Sequence, residues 1–302
     1  MANYDVKIIN SRLDEDCEKY IMECEKAYRR QLDEITETVA ETEGRSLVML
    51  AGPSSSGKTT TAKLLKEKLI GKGRTATVVS LDNFYLIQDK PLTFEDGTVD
   101  FETVEALDVP LIVKCLHELV DKGESDLPRF CFKSKKRSCF EKVSLSKDEI
   151  VIVEGLHALN PVITEPLSDE KMRLYYVSVS SRITDEDTVL FSKRELRFIR
   201  RLIRDYHHRN SDVENTFYLW KAVRMGEDRY LFPYSYRAER KIDSIHPYEI
   251  AIFKNTALNL LDRTSQDSVY YETAKELKQK LQRVVSLKRD YLPKNSLLEE
   301  FI

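Results

Sequence analysis

Glycine and proline are scarce in this 302-residue chain, nine of each, and tryptophan occurs once. With so few residues that break regular structure, no low-complexity linker stands out, and no internal repeat is visible. Neither sign of charge is in excess: 48 Lys and Arg stand against 51 Asp and Glu, for a formal net charge of -3. That balance argues against nucleic acid or an anionic membrane surface as the main partner, so any basic surface must be local. The five cysteines, Cys17, Cys24, Cys115, Cys131 and Cys139, are odd in number and contain no C-x-x-C pair. This argues against both a disulfide framework and a tetrahedral zinc site. No basic stretch followed by an apolar one opens the sequence, and nowhere do about eighteen apolar residues run uninterrupted. The expectation is a cytoplasmic protein without a membrane partner.

What is present is a hydrophobic fraction of 41%, enough to fill a core, interleaved with 33% charged residues. Residues 11–43 carry Leu13, Cys17, Tyr20, Ile21, Cys24, Ala27, Tyr28, Leu32 and Ile35 at the three-and-four spacing of an amphipathic helix. Residues 46–51 and 150–154 are continuously apolar and read as buried strands, as do 75–80 and 174–178. Helical patterns cover 58–70, 104–121, 193–209, 213–225, 248–261 and 271–287, and 242–245 reads as an edge strand. Strands alternating with helices predict an α/β fold with a mostly parallel sheet covered on both faces.

Between the first strand and the helix that follows it lies Gly52-Pro53-Ser54-Ser55-Ser56-Gly57-Lys58-Thr59, with Thr60 behind it. The spacing Gly-x-x-x-x-Gly-Lys-Thr in a strand–loop–helix context is that of a P-loop. Its glycines let backbone N–H groups converge on phosphate oxygens, the helix terminus adds positive character, and Lys58 reaches the β and γ phosphates. Thr59 can ligate magnesium, so ATP with Mg2+ is the expected nucleotide. Asp82 lies just past the second strand and Glu154 at the end of the third, where the ligands of an open parallel sheet bind. Asp82 is read as the general base for an acceptor hydroxyl or as a metal-water ligand, a turn cap being the structural alternative. Glu154 is read as a magnesium partner through water, against a plain strand-end acid.

The helix over 193–209 concentrates Arg194, Arg197, Arg200, Arg201, Arg204 and Arg209. Two readings compete: a solvated face, or a mobile lid over about 182–228 that closes over the polyphosphate and neutralises its charge. The lid reading assigns Arg200 and Arg204 to catalysis, with Arg201 and Arg209 on the phosphates. The histidines lack metal-ligand spacing, and packing is their default; His157 alone, after Glu154-Gly155-Leu156, is a candidate for lining the acceptor pocket.

Together these motifs resemble the uridine kinase-like family of P-loop nucleoside and sugar kinases. The resemblance rests on the P-loop, on Ser80-Leu81-Asp82-Asn83-Phe84-Tyr85, on Asp100 to Asp108, on Pro128 to Phe132 with Lys136-Arg137, on Val153 to Pro161, and on Arg200 to Asp205. It implies that Asp82 is the catalytic acid after the second strand, that Thr59 and Glu154 are magnesium-associated, and that Arg200, Arg201, Arg204 and Arg209 belong to a lid. It also implies that Glu102 grips the ribose hydroxyls and that Tyr85, Phe130, Phe132 and Arg137 line the acceptor pocket. Pyrimidine-specific members carry Tyr-Asp-Phe and then a base-contacting histidine where this chain has Phe130-Cys131-Phe132 and Lys135. The sequence is most like a longer bacterial-type subgroup in which the kinase follows a small domain resembling one in threonyl-tRNA synthetase. That domain is absent from these residues.

The expected organisation is a helical extension over 1–44, a P-loop kinase domain over 45–265, and a C-terminal helical extension over 266–302. The expected activity is ATP- and Mg2+-dependent phosphorylation of a small-molecule hydroxyl, first the 5′-hydroxyl of uridine or cytidine. A different small hydroxyl substrate, or a nucleotide-dependent regulatory or RNA-associated ATPase, stand as alternatives. A homo-oligomer is left open.

Overall fold

The structure is a computed structural model that describes residues 2–87, 92–131 and 136–302. The chain opens with Asn3–Asp5 (β1) and the long helix Val6–Ala40 (α1), which starts where the Asp5 carboxylate accepts from the Lys7 N–H. Ser46–Ala51 (β2), Lys58–Gly71 (α2) and Ala76–Ser80 (β3) form the first β-α-β unit. Val109–Asp121 (α3), the hairpin Glu124–Cys131 (β4) and Lys136–Ser144 (β5), and Ile150–Glu154 (β6) follow. Next come the short helix Pro161–Thr164 (α4), Met172–Ser178 (β7), and a second hairpin of Arg182–Asp185 (β8) and Thr188–Phe191 (β9). Lys193–Arg209 (α5), Val213–Tyr230 (α6), Arg240–Asp243 (β10), Glu249–Leu261 (α7) and Tyr271–Gln282 (α8) complete the chain, with a last short turn at Leu297–Glu300.

Five strands form one parallel sheet in the order β10-β7-β2-β6-β3. The unbroken apolar runs of β2 and β6 arise because both faces are covered. Along β2, Val48 and Leu50 join the core formed with α1, α2, α5, α7 and α8, while Leu47, Met49 and Ala51 join the opposite core under α3. In β6, Ile150 and Ile152 divide from Val151 and Val153 in the same way, as the two-residue strand period requires. The α/β class and the covered parallel sheet are therefore as the sequence led one to expect.

Three element readings change. The stretch 104–121 is not one helix: Asp108 caps α3 through the Leu111 N–H with Pro110 in its first turn, so the helix starts at Val109 and a separate 3-10 turn precedes it. The helix expected over 271–287 stops at Gln282. The β4–β5 hairpin and the small sheet β1-β8-β9 are additions to the sequence reading: β5 is almost wholly exposed and carries no apolar face, and β1, β8 and β9 are only three or four residues long, β1 pairing with the distant β8. The apolar stripe of α1 is buried from Val6 to Val39 in the same core as α7, α8 and Phe301, so both ends of the chain share the core of the sheet.

Candidate active site

The carboxyl ends of β2, β3 and β6 lie side by side, and each leads into a residue capable of chemistry. After β2 the loop turns through Gly52, where a Cβ would collide with the Val177 carbonyl, and ends at Gly57 in a left-handed conformation, φ 85°. Ser55 also has positive φ, 58°. This loop leaves Ser55 Oγ and Ser56 Oγ buried without a hydrogen-bond partner. Orphaned buried hydroxyls beside a helix N-terminus suit an anionic ligand. Lys58 donates to the Pro53 carbonyl at 3.2 Å, and Thr59 Oγ1 approaches Glu154 Oε1 at 3.4 Å.

Glu154 is buried, and desolvation followed by repulsion from Asp82 raises its pKa, with Lys58 opposing. Asp82 itself is exposed in the 3-10 turn after β3. A buried carboxylate that a second one destabilises, beside Thr59, forms a place where a divalent cation would relieve charge. Among the described residues no group of three or more His, Cys, Asp or Glu could hold a metal. A magnesium ion there would need phosphate oxygens and water to complete its shell, which is how this hard cation is usually held.

Glu102 completes the centre. Its pKa is pushed up to about 7, first by burial, then by Glu227, with Arg201 and Lys58 opposing and Asp82 adding to the rise. The residues that act on it come from the loop, from the end of β3 and from two helices, so Glu102 stands where these elements converge. Gly226 of α6 packs against its Cβ, and any side chain at that position would displace it. Tyr85 lies in the same field: burial raises its pKa, with further contributions from Asp82 and Glu102, while Arg209 opposes. Its ring meets Phe130 at 5.8 Å and its hydroxyl donates to the Phe101 carbonyl.

The arginine helix divides into two groups. Arg200 is fully buried, pairs with Glu249 at 2.5 Å, and donates to the Ser244 carbonyl and to the Ser55 carbonyl of the loop. The expectation that it closes over phosphate as a mobile catalytic cation is corrected: it is a strut beneath the loop. Arg197, given no role on sequence grounds, forms a two-pronged pair with Glu227 and donates to the Ser54 carbonyl, while Glu227 accepts the Ser54 N–H at 2.8 Å. Its signal was a charged residue amid Leu196, Phe198 and Ile199, all buried.

Arg201, Arg204 and Arg209 instead gather round one carboxylate, Asp205, at 3.1, 2.9 and 3.5 Å. Three guanidinium groups on one carboxylate leave a positive surplus beside the loop, and Arg201 also donates to Ser54 Oγ at 2.9 Å.

Two further expectations shift. His157 does not present its ring to an open pocket: it is buried, its Nε2–H donates to the Glu102 carbonyl at 2.9 Å, and burial lowers its pKa to about 4. A neutral imidazole thus fixes the backbone of Glu102. Arg137 is tied to Asp108 at 3.0 Å, close to the start of α3. Phe132 falls outside the described residues.

The family model described as phosphoribulokinase / uridine kinase matches residues 47–251. Uridine-cytidine kinase B of Dictyostelium discoideum is 28% identical over 192 residues, 62% of this chain and 70% of that protein. A uridine kinase of Lactobacillus johnsonii is 29% identical over 178 residues, 59% of this chain and 75% of the relative. A solved structure from Bacillus stearothermophilus, described as a possible uridine kinase, aligns over 71% of this chain and 98% of its own with a TM-score of 0.48 and 20% identity.

Proposed function

We propose, because this chain belongs to the phosphoribulokinase / uridine kinase family and is an ATP-dependent phosphotransferase, that it transfers the γ-phosphoryl group of ATP to the 5′-hydroxyl of a pyrimidine nucleoside. The observation that carries this reading is the placement of Glu102 in one electrostatic cluster with Lys58, Asp82 and Arg201. A carboxylate that feels the charge of both Lys58 and Asp82 is suited to hold the hydroxyls of a sugar whose third hydroxyl is being phosphorylated.

In this reading the amides of Gly57 to Thr60, with Lys58, hold the β and γ phosphates, and Thr59 with Glu154 and Asp82 would hold magnesium. When bound, that ion would neutralise phosphate charge. Asp82 accepts the proton of the acceptor hydroxyl, and Arg201, Arg204 and Arg209 oppose the charge on the transferring group. Tyr85 and Phe130 form an aromatic wall on which a flat base can rest.

Phe130 and Cys131 give the pocket no tyrosine hydroxyl to read a uracil edge, which favours, as a second reading, another small alcohol as acceptor. The test is a screen of uridine, cytidine, purine nucleosides and small polyols for ATP-dependent phosphorylation. Product from a pyrimidine nucleoside supports the first reading, product from a polyol the second. Acceptor-independent or RNA-stimulated hydrolysis would overturn both.

A further inference from the structure

The P-loop helix α2 begins without a side-chain cap of its own, since its N-cap is Gly57. Its first amides have no carbonyl within the helix to bond. The Thr60 N–H donates instead to Glu300 Oε2 at 3.3 Å, and the Thr60 hydroxyl donates to the same oxygen at 2.6 Å. That carboxylate comes from 240 residues further along the chain.

The segment bearing Glu300 is firmly seated. Leu297, Leu298 and Phe301 are fully buried, and the Arg200 guanidinium lies 5.2 Å over the Phe301 ring. Ser296 Oγ donates to buried Glu25 of α1 at 2.6 Å. Leu297 lies directly on the loop, 2.5 Å from where a Cβ at Gly57 would be. Glu300 is also among the groups that raise the pKa of Glu154, so its charge reaches the crevice. The apolar residues anchor the tail, and the one carboxylate aimed at the helix start adds negative charge where a triphosphate must sit.

We propose that Glu300 is a resident competitor of the nucleotide: its carboxylate holds the Thr60 N–H and hydroxyl that a phosphate oxygen takes, so that binding displaces it. A carboxylate and a phosphate ask for the same donors at a helix N-terminus, and both cannot have them. This rests on the reading that the Gly52 to Thr60 loop receives ATP. Bound nucleotide then loosens the last turn of the chain, and whatever holds that turn in place lowers nucleotide affinity.

The test uses the full chain with Glu300→Gln, Glu300→Ala and, as control, Lys58→Ala. Calorimetric titration with Mg-ATP should give binding about ten-fold tighter in Glu300→Ala, with Glu300→Gln between it and the wild type. Melting without nucleotide should fall in both Glu300 variants, and adenosine, which has no phosphate, should bind these two and the wild type alike. Hydrogen exchange at Leu298 to Phe301 should rise when the wild type is saturated with ATP. If Glu300 is only a helix cap, melting falls but ATP affinity stays put or weakens, and the proposal is overturned. ATP binding lost in Lys58→Ala but indifferent to Glu300 overturns the competitor and leaves the nucleotide site standing. Absence of ATP binding in every protein overturns both.

Discussion

On the reading proposed above, in which Glu102 holds the acceptor, the charge state of Glu102 couples that pocket to pH. Its pKa in the folded protein is raised to about 7 from an ordinary carboxylate value, so the folded chain holds a proton that the unfolded chain has released. Its contribution to stability is therefore present below the ordinary carboxylate range and is lost as pH rises through about 7. Glu102→Gln should flatten the decline in melting temperature across that window. If Glu102 holds the acceptor as proposed, its ionised form is the one that accepts from hydroxyls, so KM for the acceptor should fall as pH rises through 7 in the wild type and lose that dependence in the variant. Asp82 is exposed and free to meet a substrate. Asp82→Asn should lower kcat about 10²- to 10⁴-fold with melting unchanged, and near wild-type turnover would remove it as the base.

At the scale of the element, α5 does two things with one face rich in arginine. Arg197 and Arg200 bind loop carbonyls from below, each neutralised by a buried acid, whereas Arg201, Arg204 and Arg209 share Asp205 at the side of the crevice. Removing one partner of a buried pair leaves the other charge uncompensated. Arg200→Ala should thus destabilise by about 3–5 kcal/mol in denaturant titration, with Glu249 left alone. Arg204→Ala should barely move stability and should lower kcat, because its partner keeps two other guanidinium groups. If the two variants lost stability equally, the division of the helix would be wrong.

On the scale of the whole molecule, the extensions are not appendages. Glu25 of α1 accepts from Tyr248 and from Ser296, and approaches His246 Nε2 at 3.4 Å. His246 Nδ1 meets the Ser244 carbonyl that Arg200 also binds, and Arg200 reaches Ser55. Buried polar groups therefore line a path from the first helix and the last turn to the phosphate loop, although His246 Nε2 only approaches Glu25 and makes no hydrogen bond. Unfolding should be one cooperative calorimetric transition, and two resolved transitions would contradict the shared core. Glu25→Ala, which leaves several donors unpaired, should cost about 1–3 kcal/mol and lower the melting temperature.

The phosphate loop, the strand-end acids and the covered parallel sheet were legible in the sequence because each is a local pattern: a spacing of Gly and Lys, an acid after an apolar run, an unbroken strand. Local patterns report on backbone conformation and burial, and those follow from a few neighbouring residues. Which arginines are tied under the loop by buried acids was not legible, since Arg197 and Arg200 differ from Arg201 and Arg204 only in what α6, α7 and the loop bring against them. Nor was the packing of His157, which depends on the carbonyl of Glu102, or the contact of Glu300 with Thr60, 240 residues earlier in the chain. Sequence by itself determined the kind of site. Tertiary structure decided which charges it contains, because a charge becomes a strut or a ligand according to the distant partner that neutralises it.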